Sequence, residues 1–292
     1  MEDGYASQTI LRLRGGRPAT RSQKATTEWV PLVTRKQVAP HRAHNPWLLT
    51  AFRQDGDISL RSALLRLHGQ SFNIWSHLAG TCLFVLPHVI APLHGDAPYF
   101  SCAIRLHAAV ACACGWASAF YHIAESAPIE QYSRRLAWDY TMAYAATVSH
   151  SCLIVAYETR AQPYVAAPLL AVLILLGLRG ARYFLGRQSG TNATDSKSSN
   201  TMVMLPPLVL AAPFVVRLLV FPSPLTPVLL RWAASFACAC SVWLLQLPER
   251  FFPPGTFDLI GNSHNLMHVL VLVVYRELNQ GIDALVAQGL SE

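Results

Sequence analysis

The sequence predicts an all-α integral membrane protein, a bundle of seven transmembrane helices with its amino terminus in the cytoplasm. Three observations carry that expectation. Of the 292 residues, 52% are hydrophobic and only 13% charged, about half the roughly 25% of an average soluble domain. Seven apolar stretches, bounded by turn or charge signals, are long enough to cross a hydrocarbon core of about 30 Å. The positive charge is one-sided: eleven of the 23 Lys and Arg fall in residues 1–75, beside five acids, so this part carries +6 of the total +7.

Residues 1–44 read as a basic cytoplasmic tail, since stretches such as 12–24 lack the apolar content to fold alone. Neither aromatic interleaving nor a Cys/His finger accompanies the charge, so nucleic acid is not an expected partner. Residues 45–282 form the membrane domain. Its first part mixes charge with apolar residues, and Ser62 to His68 suit an amphipathic interfacial helix. The spans follow at about 76–93, 102–122, 138–157, 163–182, 202–221, 225–247 and 260–279. Prolines 87, 206, 207 and 213 lie within them, which neighbouring helices can accommodate. The last span is the least apolar, with only Leu266 to Tyr275 continuous. A polar loop occupies 187–201, and 283–292 form a short extracytoplasmic tail. The seven cysteines all lie in apolar stretches and read as reduced, buried side chains rather than a disulfide framework.

Orientation follows from the basic residues. With the amino terminus inside, eighteen Lys and Arg lie on the cytoplasmic side against five outside or near the outer ends, and the short loops alone favour the same side. The glycosylation sequon at Asn192 and Thr194 then faces the cytosol and stays unmodified. The protein is expected as a multi-pass component of the plasma membrane or an endomembrane.

The histidines carry the chemistry. His264 and His268 stand at i and i+4 at the opening of the last span, on one helical face. His122 closes the second span. An even number of crossings separates the two, so all three histidines belong to one layer near the cytoplasmic face. Three neutral imidazoles suit Zn2+ and leave a fourth position for water. His77, at the start of span 1, lies in the same layer and is an alternative ligand; His88, His107 and His150 read as hydrogen-bonded bundle histidines. Cys112/Cys114 and Cys238/Cys240, two apart on a helix, point about 200° apart and cannot pair as ligands. Ser118 lies one turn from His122 on the same face, and Asp139 opens span 3 on the same side. A carboxylate there is costly unless paired, which marks Asp139 as a functional residue that could accept a proton from water.

Several motifs run in a recognisable order: Ser71-Phe72-Asn73-Ile74-Trp75-Ser76-His77-Leu78, Ser118-Ala119-Phe120-Tyr121-His122, Asp139-Tyr140, Pro248-Glu249-Arg250-Phe251-Phe252-Pro253, and Gly261-Asn262-Ser263-His264-Asn265-Leu266-Met267-His268. Together they resemble the progestin and adipoQ receptor family, which includes the adiponectin receptors and is related to hemolysin III. The resemblance covers about residues 45–280. It implies seven helices with the amino terminus inside and an intramembrane zinc site, with His122, His264 and His268 as ligands and Asp139 and Ser118 near the zinc water. One departure is visible: the family's His-Asn-Glu-Thr before span 1 reads His68-Gly69-Gln70-Ser71 here, without the acid.

The resemblance implies a receptor with zinc-dependent, ceramidase-like amide hydrolase activity linked to lipid, sterol and zinc homeostasis. Asp139 and Ser118 are then catalytic, and the partners are membrane lipids (ceramide, sterol or fatty acid) together with a protein or steroid ligand. The alternatives are a non-enzymatic signalling receptor whose zinc is structural and, ranked last, a transporter.

Overall fold

The computed structural model describes residues 30–90, 98–159, 162–186 and 224–287, with isolated positions between 209 and 221. The tail up to residue 29, the sequon and most of the expected fifth span lie outside the described residues. Among the described residues the architecture is helical, and extended pairing is limited to one antiparallel bridge, Val33 with Phe52.

A short helix α1, Leu60–Leu65, opens the helical part. It is shorter than the expected interfacial helix because the chain turns out at Arg66. Helix α2 starts at Ser71 and runs to Ile90, with a wide π turn over Thr81–Val85. Helices α3, Pro98–Ile123, α4, Ile129–Glu158, and α5, Pro163–Gly186, follow. Helices α6, Thr226–Leu245, and α7, Ser263–Ala287, complete the described set.

Four of these helices are long and apolar enough to cross a membrane: Ser71–Ile90, Cys102–Ile123, Tyr164–Gly186 and Thr226–Leu245. They coincide with four of the expected spans. The third and seventh expected spans fall on α4 and α7, of 30 and 25 residues, which have the length but carry more polar residues. The reason is position. Helix α4 contributes to three buried clusters, packing Ile154 with Leu229 of α6 and Leu278 of α7, Ala146 with Val85 and Tyr275, and Val148 with Leu173 of α5. An inner helix need not be apolar all round, provided its hydroxyls are satisfied. Those of α4 bond to the preceding turn: Thr141 to the Ala137 carbonyl at 2.6 Å, Ser149 to Ala146 at 2.8 Å and Thr147 to Ala143 at 3.1 Å. The outer helices do the opposite, exposing Leu175 and Leu178 on α5 and Leu230 and Leu244 on α6. A wide apolar exterior of this kind suits lipid. The seven cysteines form no disulfide, but only Cys112 and Cys114 are buried; Cys82, Cys102 and Cys238, expected inside, are exposed on the apolar exterior.

Helices α4 and α5 approach closely where Gly180 faces the ring of Tyr144, whose hydroxyl donates to the Leu176 carbonyl at 2.9 Å. A Cβ at Gly180 would lie 2.0 Å from that ring. Gly180→Leu is therefore expected to cost about 1–3 kcal/mol through overpacking. A lowered unfolding midpoint in detergent, with Gly186→Leu (in open space) near wild type, checks this.

The docked chain begins upstream of residue 45. Val33 pairs with Phe52, Arg35 donates from its backbone to Leu49, and Arg42 is buried in an ion pair with Glu125 at 2.8 Å. Part of the positive charge that reads as a solvated tail is thus internal.

Candidate metal centre

Two helix ends meet at the site. The carboxyl end of α3 presents His122, and the amino end of α7 presents His264 and His268. Gly261, at φ +87°, turns the chain into α7, a conformation open to glycine at little cost. Asn262 then caps the helix, its Oδ1 accepting from the backbone amides of His264 and Asn265, both at 3.1 Å. Glu249, itself buried, accepts from the Ser263 amide at 2.7 Å and from the Ser263 hydroxyl. Its negative charge sits at the positive end of the helix dipole.

Ring nitrogens of His122, His264 and His268 lie within 4.8 Å of one another. His122 Nε2 is 3.3 Å from His268 Nε2 and 3.3 Å from His264 Nε2. His122 and His268 are buried, and His264 is half-buried.

The donor set fits a metal ion on its own chemistry. A neutral imidazole Nε2 has either one proton or one lone pair, directed in the ring plane. His122 can therefore satisfy only one of its two Nε2 neighbours by hydrogen bonding, and the other contact is left uncompensated in a buried place. A shared cation satisfies all three lone pairs. Two nitrogens held about 2.0–2.1 Å from a tetrahedral ion lie about 3.3 Å apart, the separation found for both pairs.

His77 stands against this set, its ring edge-on to His268 with centroids 4.0 Å apart, yet it is outside the converging group of nitrogens. His107 and His150 lie elsewhere, on another level of the bundle. His107 Nδ1 meets the Ser149 hydroxyl at 3.0 Å, and His150 Nδ1 donates to the Ala146 carbonyl at 2.7 Å while its ring stacks on Tyr275. Both are hydrogen-bonded bundle histidines, as the sequence suggests.

Ser118 of α3 stands beside Asp139 of α4 and interacts with its carboxylate. Because Ser118 and His122 are at i and i+4 on α3, the pair stands about one turn, 5–6 Å between Cβ atoms, from the histidine cluster.

Sequence reasoning gave no role to the residues that hold this site together. Glu249 lies in a motif quoted without a function. Asn73 on α2 accepts at Oδ1 from Asn265 Nδ2 at 2.7 Å, tying α2 to α7 beside the ligands. Arg53, 1% exposed, donates to the carbonyls of His122 and Ile123. His68, outside the spanning helices, is fixed as the Nε2–H tautomer: that nitrogen donates to Ala63 at 3.0 Å, and Nδ1 accepts from Gln70 at 3.1 Å. Burial pushes its imidazole down to about 4.

No curated protein matches the chain. The sequence profile described as haemolysin-III related matches residues 65–275, which takes in α2 to α6, all three histidines and the Ser118–Asp139 pair. With that match over most of its length, and with its helical, membrane-compatible fold, the chain belongs to the haemolysin-III related family.

Proposed function

We propose that this protein is a seven-span membrane receptor with zinc-dependent amide hydrolase activity on ceramide-like lipids. The amino terminus lies inside, and Zn2+ is held by His122, His264 and His268 near the cytoplasmic face. The observation that carries the reading is the convergence of three imidazole nitrogens one turn from Ser118, which interacts with the Asp139 carboxylate.

When bound, zinc supplies Lewis acidity, polarising an amide carbonyl and lowering the pKa of water to about 7. The Asp139 carboxylate takes the proton shed by the attacking water and delivers it to the leaving amine nitrogen. Ser118 donates its hydroxyl proton to that carboxylate and so fixes its direction. Water adds to the carbonyl carbon, the C–N bond breaks, and a fatty acid and a long-chain amine result. The partners are membrane lipids, with ceramide as substrate and fatty acid as product, and a sterol, steroid or protein ligand on the receptor side.

Protein purified in detergent should release fatty acid from ceramide. The release should stop on chelation and return on adding zinc. Release indifferent to chelation would contradict the reading. A second reading, a signalling receptor with structural zinc, is favoured by the burial of His122 and His268, 3% and 2% exposed. It predicts no fatty-acid release from protein fully loaded with metal.

A further inference from the structure

The two ligand-bearing helices share α2, which packs on both, and meet directly where Cys114 of α3 clusters with Tyr275 of α7, about two turns below the histidine layer. Something else must fix the distance between their ends in the histidine layer. We propose that residues 42–58 form a clamp that presets the separation of His122 from His264 and His268, with Arg53 as its positioning residue. This inference rests on the metal-site reading above.

The clamp has two halves. Residues 45–51 dock on the chain leading into α7. Asn45 donates to Glu249 at 3.1 Å, the carboxylate that also holds the Ser263 amide. The amides of Leu49 and Thr50 each donate to Asp258 at 2.8 Å, Gly255 donates to the Trp47 carbonyl at 2.8 Å, and Trp47 Nε1 donates to Gln246 at 3.3 Å.

Residues 53–57 dock on the end of α3. Arg53 donates to the carbonyls of His122 and Ile123 in the last turn of α3, where the His122 carbonyl otherwise accepts a long 3.4 Å bond from the Glu125 amide. Its cation also opposes the negative end of the α3 dipole. The Gly56 amide donates to the Ser126 carbonyl at 2.7 Å, and the Ser126 hydroxyl returns a bond to the Asp57 carbonyl. Arg42 braces this half, donating to the Arg53 carbonyl at 2.9 Å and pairing with Glu125 at 2.8 Å.

Between the halves, Ala51 sits at φ +65°, a left-handed conformation that an alanine adopts only under constraint. The turn aims its carbonyl at the Gly69 amide, 2.8 Å away. Gly69 suits that close approach, since a Cβ there would lie 3.1 Å from the Asp258 carbonyl oxygen. One short segment thus reaches both ligand-bearing ends and the start of α2.

Partners that orient a metal ligand typically change metal affinity about 10–100-fold when removed. Coupling is also reciprocal, so metal should tighten the clamp as the clamp tightens metal binding. The test is cobalt binding by the full chain in detergent, followed by the visible absorption of the bound ion. Arg53→Ala and Asp258→Asn, one from each half, should each weaken cobalt binding about 10–100-fold and shift its bands, and Arg53→Lys should return most of the affinity. Leu153→Ala, in the cluster shared by α4, α6 and α7, should lower the unfolding midpoint without changing affinity. Should Arg53→Ala fail to fold, Asp258→Asn decides alone. Wild-type affinity in the clamp variants, or an equal loss in Leu153→Ala, would overturn the clamp while leaving the metal site standing. Wild-type protein that binds no cobalt would remove the metal reading and the clamp with it.

Discussion

Asp139→Asn is expected to lower fatty-acid release from ceramide by about 10²–10⁴-fold, the span associated with a positioned acid–base group, while the metal content stays that of wild type. The substitution keeps shape and hydrogen bonding. The asparagine carbonyl can take the place of the carboxylate beside Ser118, so the contact between α3 and α4 is kept. Only the ability to take and return a proton is lost. Asp139 is outside the group of converging nitrogens, which is why metal should remain. Metal analysis beside the hydrolysis assay separates the cases. Loss of metal along with activity would make Asp139 part of the ion's support rather than the proton carrier.

The second large effect is on stability. Arg42 and Glu125 are 2% and 3% exposed and paired at 2.8 Å. Removing one member of a buried pair leaves the other charge without compensation and typically costs about 3–5 kcal/mol. Glu125→Ala should therefore lower the unfolding midpoint sharply. Arg42 keeps Asp55 as a partner, but the Asp55 side chain is 44% exposed, and a screened partner replaces little of the loss. The double variant Arg42→Leu/Glu125→Leu should recover part of the stability, because it removes both charges from the interior. A double variant less stable than Glu125→Ala would show that the other Arg42 contacts outweigh the ion pair.

The membrane character and the histidine layer were legible because each rests on a signal local in sequence. Low charge marks the class, and the i, i+4 spacing of His264 and His268 puts them on one face. Counting crossings then brings His122 to the same level. What was not legible depends on distance in the chain. In sequence, Arg53 and Arg42 look like any basic residue ahead of a first span and add only to the positive charge of that side. Their partners, the His122 carbonyl and Glu125, are 69 and 83 residues away. Glu249 and Asp258 act on backbone amides, which have no sequence signature at all. The start of α4 at Ile129 rather than near 138 was missed for a related reason. Residues 130–135 are polar or charged apart from the Tyr132 ring, so hydropathy stops where the apolar run stops, although the helix does not.

The central claim is that His122, His264 and His268 hold one metal ion. The most direct measurement is the metal content of purified full-length protein, wild type against His122→Ala and His264→Ala. The account predicts close to one zinc per chain in wild type and almost none in either variant, with all three proteins equally helical. Wild-type protein without metal, or variants that retain the wild-type amount, would contradict it.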